Sequence, residues 1–276
     1  YMVLAEMGQV LSQAQANRHV SMAVARVLDC LKIDVRLPDA LREQLNAAND
    51  LFGMEIKKRE SLQQFAANGQ TPEEVTAQAI ISQINTWLAA LDKPRQLTTE
   101  ASYYLTAAMG ETLGNAARHA RPETVDLDGD WRATAFMGKR QDGPSGQIVP
   151  HCYLGFLNAG ASFADSLSTA NEETRIRLER YQQTCFQRGA VQSADTLATV
   201  FALQDGVTRF PNINDRGAGG LGLMSILRFI RALGATSHQE FAPKVTLLSG
   251  SSCIQIQQQH WDALSEPLSE QDDQLD

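Results

Sequence analysis

The chain has 276 residues, long enough for one large domain or two small ones. A formal net charge of −8 excludes the broad basic surface of a dedicated nucleic-acid binder, and no apolar run approaches membrane-spanning length. Four widely spaced cysteines (Cys30, Cys152, Cys185 and Cys253), with no CxxC pairing, suit reduced, buried thiols in a cytoplasmic protein better than a disulfide framework or a zinc site.

The chain opens on Tyr1 rather than Met, which leaves room for native residues ahead of it. Residues 1–92 carry almost no strand signal. Met2 to Leu31 places Leu4, Met7, Val10, Leu11, Val20, Met22, Val24, Val27 and Leu28 at helical spacing. Pro38, followed by Asp39 and Glu43, opens a second expected helix running to about Ala67. Asn68-Gly69-Gln70 is a stop, and Thr71-Pro72-Glu73-Glu74 starts a third helix with Thr71 as N-cap, ending near Leu91 before Lys93-Pro94. Residues 1–92 therefore read as a helical subdomain, a bundle or a surface for dimerisation or partner binding.

A fourth amphipathic helix is expected from about Thr98 to Ala120, with Leu105, Met109, Thr112 and Ala116 as its buried stripe. Glu111 and Asn115, four residues apart, project from one side, and His119 continues the row. A carboxylate one turn from a carboxamide suits a magnesium–nucleotide site: the amide oxygen holds the cation and the carboxylate orients a nucleophile.

Strands follow. Trp131 to Met137 alternates, Gly138 to Gly146 is a polar turn, and Ile148 to Leu157 is an apolar partner, which together predict an antiparallel hairpin. The second strand runs into Asn158-Ala159-Gly160-Ala161-Ser162-Phe163. That turn presents a polar side chain beside a glycine, or simply caps a helix with Ser162 or Asp165. Glu172 to Gln187 has helical character. Asp215-Arg216-Gly217-Ala218-Gly219-Gly220-Leu221-Gly222-Leu223 then packs four glycines into six residues ahead of an apolar helix, Met224 to Leu233. Such a loop turns backbone N–H groups toward a phosphate chain, the helix N-terminus adds partial positive charge, and Arg216 adds a cation. It is neither a P-loop nor a dinucleotide fingerprint, since no Lys-Ser/Thr follows and no βαβ unit surrounds it. Thr246 to Gly250 and Cys253 to Ile256 read as a closing hairpin, and Asp262 to Asp276 as an acidic, disordered tail.

These segments in this order resemble the GHKL superfamily of ATPases and kinases. Glu111-x-x-x-Asn115-Ala116-x-x-His119 resembles its N-box, Asn158-x-Gly160-x-Ser162 its G1 box, and Gly217-x-Gly219-Gly220-Leu221-Gly222-Leu223 its G2 box. The spacing, with Gly206-Val207-Thr208-Arg209 ahead of Arg216, looks most like bacterial anti-sigma-factor-type kinases and stand-alone ATP-binding proteins paired with STAS-like partners. The resemblance implies an α+β fold, the Bergerat two-layer α/β sandwich with a mixed sheet, over 93–261. Residues 164–216 would form a lid over the nucleotide.

By that resemblance ATP and Mg2+ are the cofactors. Asn115 would ligate magnesium, Glu111 would be the general base, and Gly217, Gly219, Gly220, Leu221 and Gly222, with Arg216, would wrap the phosphates. Asn158 stands where the family carries Asp, so its bond to the adenine amino group is not charge-assisted, and ATP binding is expected to be weakened. The implied function is a regulatory protein kinase or slow ATPase acting on a STAS-like or sigma-factor-related partner, with a homodimer through the helical N-terminus. The alternative is a nucleotide-gated binding module without useful chemistry. His19, flanked by Arg18 and Val20, lacks the acidic neighbour of a histidine-kinase phosphoacceptor.

Overall fold

The computed structural model describes residues 26–27, 30–31, 51–62, 69–119, 131–141, 148–158, 160–204, 207, 226–227, 230, 244–257 and 260. The chain falls into two compact units, Tyr1–Ala159 and Gly160–Asp276. Both mix helix with sheet, which makes the fold α+β.

The first unit is built on a sheet. Its described elements are strands β1 (Leu51–Gly53) and β2 (Lys57–Lys58), helices α1 (Arg59–Leu62), α2 (Pro72–Ala89) and α3 (Thr99–His119), and strands β3 (Trp131–Gln141) and β4 (Ile148–Asn158). The expected hairpin is present, with β3 and β4 antiparallel from Trp131 opposite Asn158 to Gln141 opposite Ile148, so that Gly138 to Gln141, expected in the turn, continue the strand. The expected helix from Pro38 to about Ala67 does not run through residues 51–58, which form β1 and β2 instead. Both pair antiparallel with β3, Phe52 opposite Met137 and Lys57 opposite Ala133.

Two physical reasons account for that correction. Glycine inside a helix costs about 1 kcal/mol relative to alanine. In addition, Gly53 is where another part of the chain comes close: a Cβ there would overlap Cys30 Sγ and lie 2.6 Å from the Cys30 carbonyl oxygen. Between the short strands, Met54 donates its N–H to the Ala135 carbonyl at 3.1 Å and accepts the Thr134 hydroxyl at 3.0 Å. Tertiary pairing thus supplies the backbone partners that a helix would have provided.

Helix α2 starts as the sequence predicts. Thr71 is its N-cap, and Thr71 and Glu74 form a reciprocal capping box with Pro72 in the first turn. Ala77, Ile80, Ile84 and Trp87 line its buried face. The link to α3 folds back on α2, with the Leu97 N–H on Asn85 Oδ1 at 2.8 Å and the Arg95 N–H on the Leu88 carbonyl at 3.0 Å. On β3, Trp131, Ala133, Ala135 and Met137 alternate and are buried beneath α2 and α3. Trp131 donates Nε1–H to Glu73 Oε1 at 3.1 Å, and the same oxygen accepts from Arg59 Nε at 3.3 Å, so one carboxylate ties α1, α2 and β3 together. On the opposite face Phe136 and Tyr153 stack across the hairpin at 4.5 Å.

The second unit contains α4 (Phe163–Ser168), α5 (Glu172–Gln187), α6 (Ala194–Ala202), β5 (Val245–Ser249) and β6 (Ser252–Ile256). Leu167, Leu178, Ala198, Phe201 and Val207 form one core, with Tyr181 packed against it. Leu227 and Ile256 form another, with Leu203, Ile230, Val245 and Ile254 around them. Burial first, and the neighbouring Cys185 thiol second, push the Tyr181 hydroxyl up to about 12. The expected closing hairpin is β5–β6, turning at Gly250, whose φ of +56° favours glycine. Ser249 Oγ accepts the Phe163 N–H and Ser251 Oγ donates to Asp195 Oδ2, each at 2.8 Å, so the turn is fastened to the first turns of α4 and α6.

Every strand pair among the described residues is antiparallel, so the mixed sheet implied by the resemblance has no parallel pair there. Most of the helix expected over Met2–Leu31, together with His19 and the tail from Asp262, lies outside the described residues.

Candidate functional site

The N-box segment forms on α3 as the spacing requires. Thr98 Oγ1 accepts the Ala101 N–H at 3.1 Å and starts the helix. Leu105, Met109 and Leu113 are buried at four-residue steps, whereas Thr112 and Ala116, expected in that stripe, are half-buried. Leu113 displaces Thr112 because it continues the four-residue step from Met109 and carries more apolar surface. Thr112 instead returns its hydroxyl to the Ala108 carbonyl at 2.8 Å, which satisfies it at the edge of the stripe.

With that face fixed, Glu111 is exposed and Asn115, one turn on, is half-buried. His119 is the last residue of α3. α3 packs on α2, β3 and β4. Asn158 ends β4 directly opposite Trp131, and directly opposed residues of an antiparallel pair share a face. Asn158 therefore belongs to the face of the sheet that α2 and α3 cover, at its end, and it is exposed. Glu111, Asn115 and Asn158 thus belong to one compact unit, with Glu111 on the side of α3 away from its buried stripe and Asn158 at the end of the covered face of the sheet.

Gly160, also exposed, begins the second unit. The turn after it is a helix cap. Ser162 is the N-cap of α4, its Oγ accepting the Asp165 N–H at 3.1 Å while Asp165 Oδ2 accepts the Ser162 N–H at 3.1 Å and hydroxyl at 2.6 Å. The Ser162 hydroxyl, and then its backbone N–H, hold the Asp165 carboxyl below the usual carboxylate range. Because the folded value is depressed, the charged carboxylate adds stability above the unfolded value, and that contribution is lost as pH falls through the folded value. Thermal midpoints of wild type and Asp165→Asn are therefore expected to differ near pH 6 and to draw together on acidification below the usual carboxylate range. A gap that persists unchanged at acid pH would contradict this capping role.

Arg216, Gly217, Gly219, Gly220, Leu221 and Gly222 lie outside the described residues. Further along, Ile226, Leu227 and Ile230 are helical, within the segment expected to be an apolar helix. Among the described residues no group of three His, Cys, Asp or Glu side chains is placed to hold a metal ion. Asn115 supplies a hard carboxamide oxygen, and one such donor suits magnesium that arrives on nucleotide phosphates and keeps several waters. No helix among the described residues is long and apolar enough to cross a membrane.

Two features of this unit escaped the sequence reading. The Arg59–Glu73–Trp131 link joins residues up to 72 positions apart, which no local pattern reveals. Tyr103 and Tyr104 are exposed on α3, a placement signalled in the sequence only by their offset from the Leu105–Met109–Leu113 step. No protein-family model, curated protein or solved structure matches the chain.

Proposed function

We propose that this chain is a magnesium–ATP-binding protein of the GHKL type that regulates a protein partner, as a kinase or as a slow ATPase. The observation that carries the reading is a carboxylate and a carboxamide, Glu111 and Asn115, one turn apart on α3, with a second carboxamide, Asn158, at the end of a strand α3 packs against. The glycine-rich run at Gly217–Gly222 adds to it at the level of sequence.

In this reading Asn115 holds magnesium through its amide oxygen. Magnesium, when bound with nucleotide, neutralises charge on the phosphate oxygens. Glu111 accepts the proton of the attacking water or hydroxyl, and its exposure leaves room for that nucleophile. Asn158 accepts a hydrogen bond from the adenine amino group. Backbone N–H groups of Gly217, Gly219, Gly220, Leu221 and Gly222, with the Arg216 guanidinium, bind the phosphates. The segment 164–216, with its three capped helices, serves as the lid, and the first third offers a surface for a partner or a second copy, in a cytoplasmic setting.

Asn158 provides a gain-of-function test. An Asp there would restore a charge-assisted bond, worth about 1 kcal/mol more than the neutral one, or about fivefold in affinity. Asn158→Asp is expected to tighten ATP binding by that factor and leave GTP binding no better, read by titration with each nucleotide. Tighter GTP binding, or no change with ATP, would remove Asn158 from adenine recognition.

A second reading, a nucleotide-gated binding module, is favoured by the Ser162–Asp165 cap, which commits the turn after Gly160 to starting a helix. Phosphate release above a magnesium-free blank counts against it.

A further inference from the structure

In the second unit, Thr174 and Leu178 are buried and Tyr181 and Cys185 half-buried at three- and four-residue steps, which fixes the inward face of α5. On one flank of that face Arg177, Arg180 and the C-cap residue Arg188 are all exposed, and with Thr184 they follow one another at three- and four-residue steps. The row is about 17 Å long. None of the three arginines forms an ion pair among the described residues. The Arg177 guanidinium rests 5.8 Å from the centroid of the Phe201 ring, which restrains its position. Nearby carboxylates leave the row positive. Glu172 and Glu179 lie three before and four after Arg175, on the other flank, so Arg175 stands between them. Glu173, one turn before Arg177, is the one carboxylate of α5 within the row. Helices α4 and α6, which pack on α5, carry one carboxylate each, and both are engaged: Asp165 caps Ser162, and Asp195 accepts the Ser251 hydroxyl.

The same unit carries a run of opposite charge. Asp262 to Asp276 holds six carboxylates, at Asp262, Glu266, Glu270, Asp272, Asp273 and Asp276, and no Lys or Arg follows Lys244. The run lies outside the described residues, beginning two positions after His260, and belongs to the compact unit that contains α5. We propose that the row of Arg177, Arg180 and Arg188 is a docking site for acidic polypeptide, and that its occupant is this chain's own Asp262–Asp276. Guanidinium groups bind carboxylates through paired, charge-assisted hydrogen bonds, which a lysine row would not match. Charge complementarity selects an acidic occupant over a basic one. Tethering selects this one: the run spans up to about 50 Å when extended, about three times the length of the row. A segment of the same chain also competes at an effective concentration of about 1 mM. The contact closes the surface, since an acidic segment of a partner reaches these arginines only by displacing the run. It stands on the second unit alone and does not depend on nucleotide binding.

Fluorescence anisotropy of the full chain with a fluorescein-labelled peptide of residues 262–276 tests this at about 0.05 M salt. Wild type is compared with a variant in which the six carboxylates of the run are replaced by their amides, Asp by Asn and Glu by Gln. The amide variant is expected to bind the peptide about tenfold more tightly than wild type, whose own run competes for the row. In the amide background, Arg177→Gln and Arg180→Gln should each weaken the peptide about threefold, whereas Arg175→Gln, on the other flank, should leave it unchanged. Thermal midpoints should be the same in all these proteins, since every substituted arginine is exposed. Equal peptide affinity in wild type and the amide variant would leave the row open to an acidic partner but not held by its own run, and overturns the proposal. Absence of binding in the amide variant overturns it too, as does weakening by Arg175→Gln equal to that by Arg180→Gln.

Discussion

Glu111→Gln is expected to lower phosphate release or transfer by about 10²- to 10⁴-fold, while magnesium-dependent ATP binding is retained. Glutamine keeps the size and shape of the side chain but cannot take a proton, so the variant isolates the base from the binding site. The substitution is safe for the fold. Glu111 is exposed, and the residues that anchor α3 are Leu105, Met109 and Leu113 on the other side of the helix. A change at such a surface position alters stability by about 0.5 kcal/mol or less. Single-turnover assays with γ-labelled ATP, beside a titration of the same preparation, separate the two effects. Wild-type turnover in the variant would remove Glu111 from the role of base.

The second large effect falls on the fold. Trp131 is the largest fully buried side chain among the described residues, 1% exposed, and its indole N–H binds the carboxylate that also holds Arg59. Trp131→Ala is expected to cost about 3–5 kcal/mol through lost contacts and the cavity left behind. Trp131→Phe keeps most of the apolar area and loses the hydrogen bond, and is expected to cost about 1–2 kcal/mol. Urea denaturation followed by circular dichroism should therefore rank wild type above Phe above Ala. Equal stability of Phe and Ala would place the whole effect in the hydrogen bond, against the packing account. Because Trp131 faces Asn158 across the β3–β4 ladder, the Ala variant should also loosen the end of β4 that carries Asn158.

What the sequence made legible is what local physics determines. The N-cap at Thr71 and the cap at Ser162 follow from side chains bonding to backbone within three residues. The span of α5 follows from periodicity, and the β3–β4 hairpin from alternation around a polar turn. The region 51–58 was illegible because its structure is set by β3, some eighty residues later, and by the approach of Cys30 to Gly53. The same limit explains Thr112 and Leu113. Both fit a three- or four-residue step, and only the packing of α3 on its neighbours decides between them. For the candidate site, the spacing of Glu111 and Asn115 was readable from helical geometry alone. That Asn158 shares the face of the sheet that α3 covers depends on the register of Trp131 with Asn158, which a sequence does not specify.

Calorimetric titration of the purified chain with ATP, with and without magnesium, tests the central claim most directly. The account predicts weak ATP binding that requires magnesium and is lost on Asn115→Ala. Absence of ATP binding at concentrations up to about 1 mM with magnesium present, or binding indifferent to the metal and to Asn115, would contradict it.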